Sequence, residues 1–180
     1  VSVPSNSAVQ INVRNEITSA PWGGTIKVEN NGTSEPLYAV VKAEREQSNG
    51  SVISLAFEGY RETSDAKSEW VLPVLSRNSK STGNSTPTGM NQAIIFQNPS
   101  SSDTVQVTIE FLNGDGSLRT TWSTTVAPNG VSAVSTFQVN GLPTSWGGVG
   151  KMTAVVNGTS TPAPILALLE PYYSTDSSSG

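Results

Sequence analysis

Few side chains in this chain of 180 residues have both the type and the spacing to do chemistry, and their possible uses differ. Asn31, Asn49, Asn84 and Asn157 each open an Asn-x-Ser/Thr sequon, the acceptor pattern for an N-linked glycan on an exposed loop. The same Asn-Gly pairs build turns in any strand-rich chain, so sequons also arise here from composition alone. Trp22, Trp146, Tyr60, Tyr172 and Tyr173 offer aromatic rings that would stack on sugars if they lined one exposed surface. Trp22 and Trp146 both stand directly before Gly-Gly, which favours packing at the end of a sandwich instead. Asp115, in Asn-Gly-Asp-Gly, lacks the alternating acidic partners and distal Glu of a calcium loop and reads as a hairpin turn. Ser79-Lys80-Ser81 sits in a polar stretch with nothing to lower the lysine pKa, which argues against a nucleophile. Glu44, Glu46, Glu58, Glu62 and Asp65 form a loose acidic group that reads as a solvated face.

Composition removes most enzyme classes. With no His and no Cys there is no imidazole base, thiolate nucleophile, zinc site of the usual kind or disulfide. No catalytic, cofactor-binding or metal-binding residue is therefore expected. Ten Lys and Arg against fourteen Asp and Glu give a net charge of −4, without the cationic stripe of a nucleic-acid binder. No apolar run approaches the ~20 residues of a membrane helix, so no membrane insertion is expected. Ser and Thr make up roughly a quarter of the chain and charged residues only 13%. That balance suggests an extracellular or cell-surface location. The chain opens on Val1 rather than Met, as a processed or trimmed chain would.

The elements that would position these residues are strands. Alternation of apolar and polar residues marks 8–13, 25–29, 104–112, 118–126 and 131–139. Continuous apolar runs mark 37–43 and 165–170, and 52–57, 92–97 and 149–156 complete the set. Residues 70–75 form a further run, whose Pro73 points to an edge strand. Asn49-Gly50, Asn113-Gly114 and Pro128-Asn129-Gly130 read as hairpin turns. Residues 76–89 read as a long polar loop, and 61–69 as a linker with room for one helical turn. The fold expected is all-β, an antiparallel β-sandwich.

An internal repeat gives the organisation. Ser7-Ala8-Val9, Trp22-Gly23-Gly24, Asn31-Gly32-Thr33-Ser34 and Pro36-Leu37 recur in order as Ser132-Ala133-Val134, Trp146-Gly147-Gly148, Asn157-Gly158-Thr159-Ser160 and Pro164-Ile165. The expected division is a partial repeat over 1–60, a linker over 61–69, a complete repeat over 70–171 and a Ser-rich tail over 172–180. The partial unit lacks a front half. It either packs on the complete sandwich or takes strands from a neighbouring chain.

The stretch from Leu72-Pro73 through Ile94-Ile95-Phe96-Gln97-Asn98, Val105–Phe111, Pro128-Asn129-Gly130, Trp146-Gly147-Gly148 and Pro164–Glu170 resembles the tandem immunoglobulin-like β-sandwich repeats of bacterial cell-surface proteins. It departs from them in a longer loop over Ser79–Gly89 and in Met90, where a Trp is expected. The resemblance implies one complete seven-strand immunoglobulin-like unit plus a partial one, with a structural or adhesive role and no enzymatic activity. The expectation is a subunit that self-assembles with copies of itself into a filament, sheath or surface layer. Val9, Ile11 and Val13 would face a sheet core, and Val1 and Val3 would extend a donated strand. The alternative is a carbohydrate-binding or adhesive module with glycans as partners. A fragment of a longer repeat protein is a third reading.

Overall fold

The computed structural model describes residues 2, 9, 11, 28, 40–46, 52–58, 65–77, 79–80 and 88–175. Strands dominate them, and they contain no α-helix. The chain is an all-β protein with a sandwich of two antiparallel sheets.

The first two strands, β1 (Val40–Glu46) and β2 (Val52–Glu58), form an antiparallel hairpin in register from Val40 opposite Glu58 to Glu46 opposite Val52. Asn49-Gly50, read from the sequence as a hairpin turn, lies outside the described residues.

The sandwich follows. Its strands are β3 (Glu69–Arg77), β4 (Ser79–Lys80), β5 (Thr88–Gln97), β6 (Val105–Asn113), β7 (Leu118–Val126), β8 (Val131–Ser135), β9 (Trp146–Val156) and β10 (Leu166–Thr175). One sheet has the order β3-β9-β6-β7. In the other, β5 carries β10 on one side and both β4 and β8 on the opposite side.

Alternation explains the packing. In β6, Val105, Val107, Ile109 and Phe111 are all fully buried, while Gln106, Thr108 and Glu110 take the outer face. Leu72, Leu75, Met152 and Ala154 extend that inner face, and Ile94, Phe96, Val134 and Ala167 oppose it from the second sheet. Each of these side chains other than the alanines contributes about 1.5–3 kcal/mol when fully buried, so the two inner faces supply the dominant stabilising term.

Several boundaries differ from the sequence reading. The expected loop 76–89 contains strand at both ends: Ser76 and Arg77 finish β3, Ser79 and Lys80 pair with Met90 and Gly89, and Thr88 opens β5, while 78 and 81–87 lie outside the described residues. The expected strand 131–139 stops at Ser135, because Ser135 and Gln138 form a capping box that turns Thr136–Gln138 into one 3-10 turn. Part of the expected linker is tied to the sandwich, since Lys67 and Ile165 exchange main-chain hydrogen bonds of 3.0 and 2.9 Å. The expected tail begins later than residue 172, because Tyr172–Thr175 continue β10 opposite Asn91–Thr88.

The two Gly-containing turns also separate in role. Asn113-Gly114-Asp115-Gly116 closes the β6–β7 hairpin, as the sequence suggests. Pro128-Asn129-Gly130 instead carries the chain from β7 in one sheet to β8 in the other. Buried Asn98 fastens that corner: its Nδ2 donates to the carbonyls of Asp103, Val126 and Ala127, and its Oδ1 accepts from Ser100 N.

Candidate functional site

The polar side chains with chemical potential are occupied in turns and strand ends. Asp115 Oδ1 accepts from both the backbone N and the Oγ of Ser117, which holds its carboxyl below the usual carboxylate range. This is an ordinary Asx turn. Ser79 and Lys80 lie in β4. Arg77 donates to the carbonyls of Val139 and Leu142, and its guanidinium stands 5.6 Å above the Phe137 ring. It therefore adds a second donor to the Val139 carbonyl, which already accepts from Leu142 N within the turn, and pairs the Leu142 carbonyl. Among the described residues, no three His, Cys, Asp or Glu side chains are grouped to hold a metal ion.

The tryptophans are structural wherever they are described. Trp146, a candidate for sugar stacking, is only 5% exposed. Its ring meets Phe111 edge-on at 6.0 Å, and its Nε1 donates to Asn113 Oδ1 at 3.1 Å. The indole lies back over Gly148, where a Cβ would collide with the Leu112 carbonyl oxygen and the ring itself. The Trp-Gly-Gly motif is thus a packing device, and Trp146 is withdrawn as a sugar platform. Trp70 Nε1 donates to the carbonyls of Lys67 and Ile165, and Trp122 packs edge-on against Phe96. Trp22 and Tyr60 lie outside the described residues. Tyr172 and Tyr173 are on β10, at the positions opposite Asn91 and Met90.

Of the four sequons, Asn31, Asn49 and Asn84 lie outside the described residues. Asn157 is exposed, in a tight turn after β9 closed by Thr159 N donating to Val156 O at 3.0 Å.

What remains open is strand edge. In the first sheet β3 and β7 are the end strands. On β3 the ladder to β9 shifts register between Leu72 and Leu75, so Pro73 and Val74 form a bulge. Pro73 fits an edge, as the sequence indicated, because it has no N–H to pair. Val71 and Val74 are 74% and 73% exposed, and no pattern in the sequence marks them for that exposure. The hairpin β1–β2 is a sheet of two strands among the described residues.

Of the expected assembly residues, Val1, Val3 and Val13 lie outside the described set. Val9 and Ile11 were expected to face a sheet core. In the single chain they are 44% and 53% exposed.

Comparison with protein-family models gives no match, and comparison with curated proteins gives none. Among solved structures, the chain is similar to an Anabaena sensory rhodopsin transducer at 13% identity and a TM-score of 0.45, covering 58% of this chain and 94% of that one. It is also similar to the Thermotoga maritima 1070 protein at 13% identity and a TM-score of 0.44, covering 62% of this chain and 93% of that one.

Proposed function

We propose that this chain is an extracellular structural subunit that assembles with copies of itself into a filament, sheath or surface layer by β-strand pairing between subunits. The observation that carries the reading is the β1–β2 hairpin, whose seven registered pairs make a two-stranded sheet among the described residues. A two-stranded ladder is at best marginally stable in water, and needs a further strand or a packed face.

The internal repeat indicates what kind of neighbour suits it. The segment 36–41 matches 164–169, which places β1 in correspondence with β10. β10 is hydrogen-bonded along its whole length to β5. By that correspondence a strand in the position of β5 would suit the side of β1 away from β2.

The donor is the segment around Val9 and Ile11. These two side chains stand two residues apart, on one face of any extended strand, and both are exposed in the single chain. Docked on a neighbour's edge, the segment supplies main-chain hydrogen bonds and two apolar side chains to bury. In the assembly Val1, Val3 and Val13 would extend the same strand. The low charge and Ser/Thr-rich composition suit an extracellular setting, and without Cys the durability of a polymer rests on repeated buried area.

Deleting residues 1–13 tests the reading. Sedimentation and electron microscopy of the full chain should show polymers, and the truncated chain should remain a folded monomer. Polymers of unchanged length after the deletion refute the donated strand.

A further inference from the structure

Six Asn-Gly pairs occur in the sequence, at Asn31, Asn49, Asn113, Asn129, Asn140 and Asn157, and the structure treats the four described ones very differently. Such a pair can modify itself. The backbone nitrogen following Asn attacks the side-chain carbonyl, and Gly offers no side chain to hinder the approach. Two conditions control the reaction: the Gly N–H must be free of an acceptor, and the Asn carboxamide must be free to swing towards it.

Asn129 fails the first condition. Gly130 N donates to Ala127 O at 2.9 Å, and Asn129 N donates to Ser100 O at 2.8 Å. Asn113 fails the second. Its Oδ1 accepts from Trp146 Nε1 at 3.1 Å and its Nδ2 donates to Ser117 Oγ at 3.0 Å, so both ends of the amide are held. Asn140 meets both conditions, but its backbone is pinned on the carbonyl side, with Thr120 Oγ1 donating to its carbonyl and Arg119 Nε donating to that of Gly141. Gly141 also lies against Thr120, where a Cβ would stand 2.9 Å from Oγ1.

Asn157 meets both conditions, and among the described residues no hydrogen bond holds its carbonyl or that of Gly158. Among the described residues its carboxamide makes no hydrogen bond, and the Gly158 N–H has no acceptor. Asn157 is exposed, and a Cβ added at Gly158 would meet nothing within 4 Å. Gly158 has a φ of +78°, in the left-handed region that glycine adopts without steric cost.

We propose that Asn157 is a self-modification site of this protein, converting through a cyclic imide to a mixture of aspartate and isoaspartate. The Gly158 nitrogen gives up its proton to base and forms a bond to Asn157 Cγ. The Cγ–Nδ2 bond breaks, and the nitrogen leaves as ammonia, taking up a proton. Water then opens the imide at either carbonyl. Overall, water is consumed and ammonia is released, and each event adds a negative charge to an already acidic chain. It also destroys the sequon at this turn, since the acceptor nitrogen is lost, so a glycan on Nδ2 and this reaction exclude each other. The inference is independent of the assembly reading.

The test uses the full chain, produced without glycosylation, incubated at mildly alkaline pH and followed by peptide mapping. Cleavage after Lys151 releases residues 152–180, in which Asn157 is the only side-chain amide, and a separate peptide, 120–151, carries Asn129 and Asn140. Conversion at Asn157 should exceed that at Asn129 and Asn113 by ~10-fold, the worth of one hydrogen bond of ~1.4 kcal/mol that each of those must first break. The rate should rise with pH. In urea the three rates should converge, because Gly follows each Asn. Equal rates in the folded chain, or Asn157 intact while Asn113 or Asn129 converts, overturn the proposal.

Discussion

Ser76 on β3 and Gln92 on β5 join the two sheets of the sandwich through a hydrogen bond from the Ser76 backbone N–H to Gln92 Oε1. Both residues are buried. The link is part of a closed circuit, since Gln92 N donates to Thr136 Oγ1 at 3.1 Å and Thr136 Oγ1 donates to Ser76 O at 2.7 Å. Thr136 thus spans both strands from its 3-10 turn, satisfying main-chain groups that neither ladder reaches. Replacing Thr136 with Val keeps the shape and orphans two buried polar groups. The expected loss is about 2–4 kcal/mol in urea unfolding. Gln92→Leu should cost about 1–3 kcal/mol, and the double variant should cost less than the sum, because both break one circuit. Strict additivity would show that the circuit does not act as a unit.

Gly148 and Trp146 make a second coupled pair. With the indole seated over the glycine, Gly148→Ala must displace either the ring or the strand at Leu112. Overpacking of this kind costs about 1–3 kcal/mol, and Gly147→Ala serves as the comparison, because a Cβ there meets only the Leu75 carbonyl, at 3.9 Å. Thermal denaturation should therefore separate the neighbouring glycines clearly. Similar losses at both positions would contradict the packing assigned to Trp146.

That contrast shows where the sequence was legible. The alternation in 105–111 identifies both the strand and its buried face, because period 2 is all that a half-buried strand requires. The hairpin over 40–58 and the turn at Asn113 follow from the same local signals. Other features depend on partners remote in sequence. Nothing local tells that Ser76 meets Gln92, so the polar stretch after residue 75 reads as loop although Ser76, Arg77, Ser79 and Lys80 are paired. Tyr172–Thr175 read as tail for the same reason, since their strand character comes from β5. The repeated Trp-Gly-Gly is visible in the sequence, but only the fold shows that its second glycine is the one without room. The candidate assembly residues were legible as alternating apolar positions, whereas the exposure of Val71 and Val74 depends on a bulge that no residue pattern announces.

Val74 at that bulge carries a φ of +54°, a left-handed conformation that a β-branched residue adopts only under strain. Its side chain is 73% exposed, so little burial offsets the cost. Val74→Asn, which tolerates this region, should stabilise the chain by about 1 kcal/mol and raise Tm by about 2–4 °C. Val74→Ile, which keeps the branching, should not. A lower Tm for the Asn variant would rule out strain at this position.

Asp115 allows a test of how far the hairpin turn communicates with the core. Trp146 Nε1 donates to Asn113 Oδ1, Asn113 Nδ2 donates to Ser117 Oγ, and Ser117 Oγ donates to Asp115 Oδ1 at 2.7 Å. The carboxylate is thus the end of a chain of three hydrogen bonds that begins at a buried indole. Its pKa is lowered, first by the Ser117 hydroxyl and then by the Ser117 backbone N–H. A depressed folded pKa means that the turn's contribution is complete above the ordinary carboxylate value. It is lost as the pH falls through the lower folded value, where the protonated acid is a weaker acceptor for Ser117 than the carboxylate. Ser117→Ala removes the larger cause, so the Asp115 carboxyl signal in an NMR titration should move up towards the ordinary range. Ser117→Thr should hold it in place. In the wild-type chain the Trp146 indole N–H signal should shift with the same midpoint as Asp115, and in Ser117→Ala that dependence should disappear. An indole signal that ignores the Asp115 titration in the wild-type chain would show that the three bonds do not act in series.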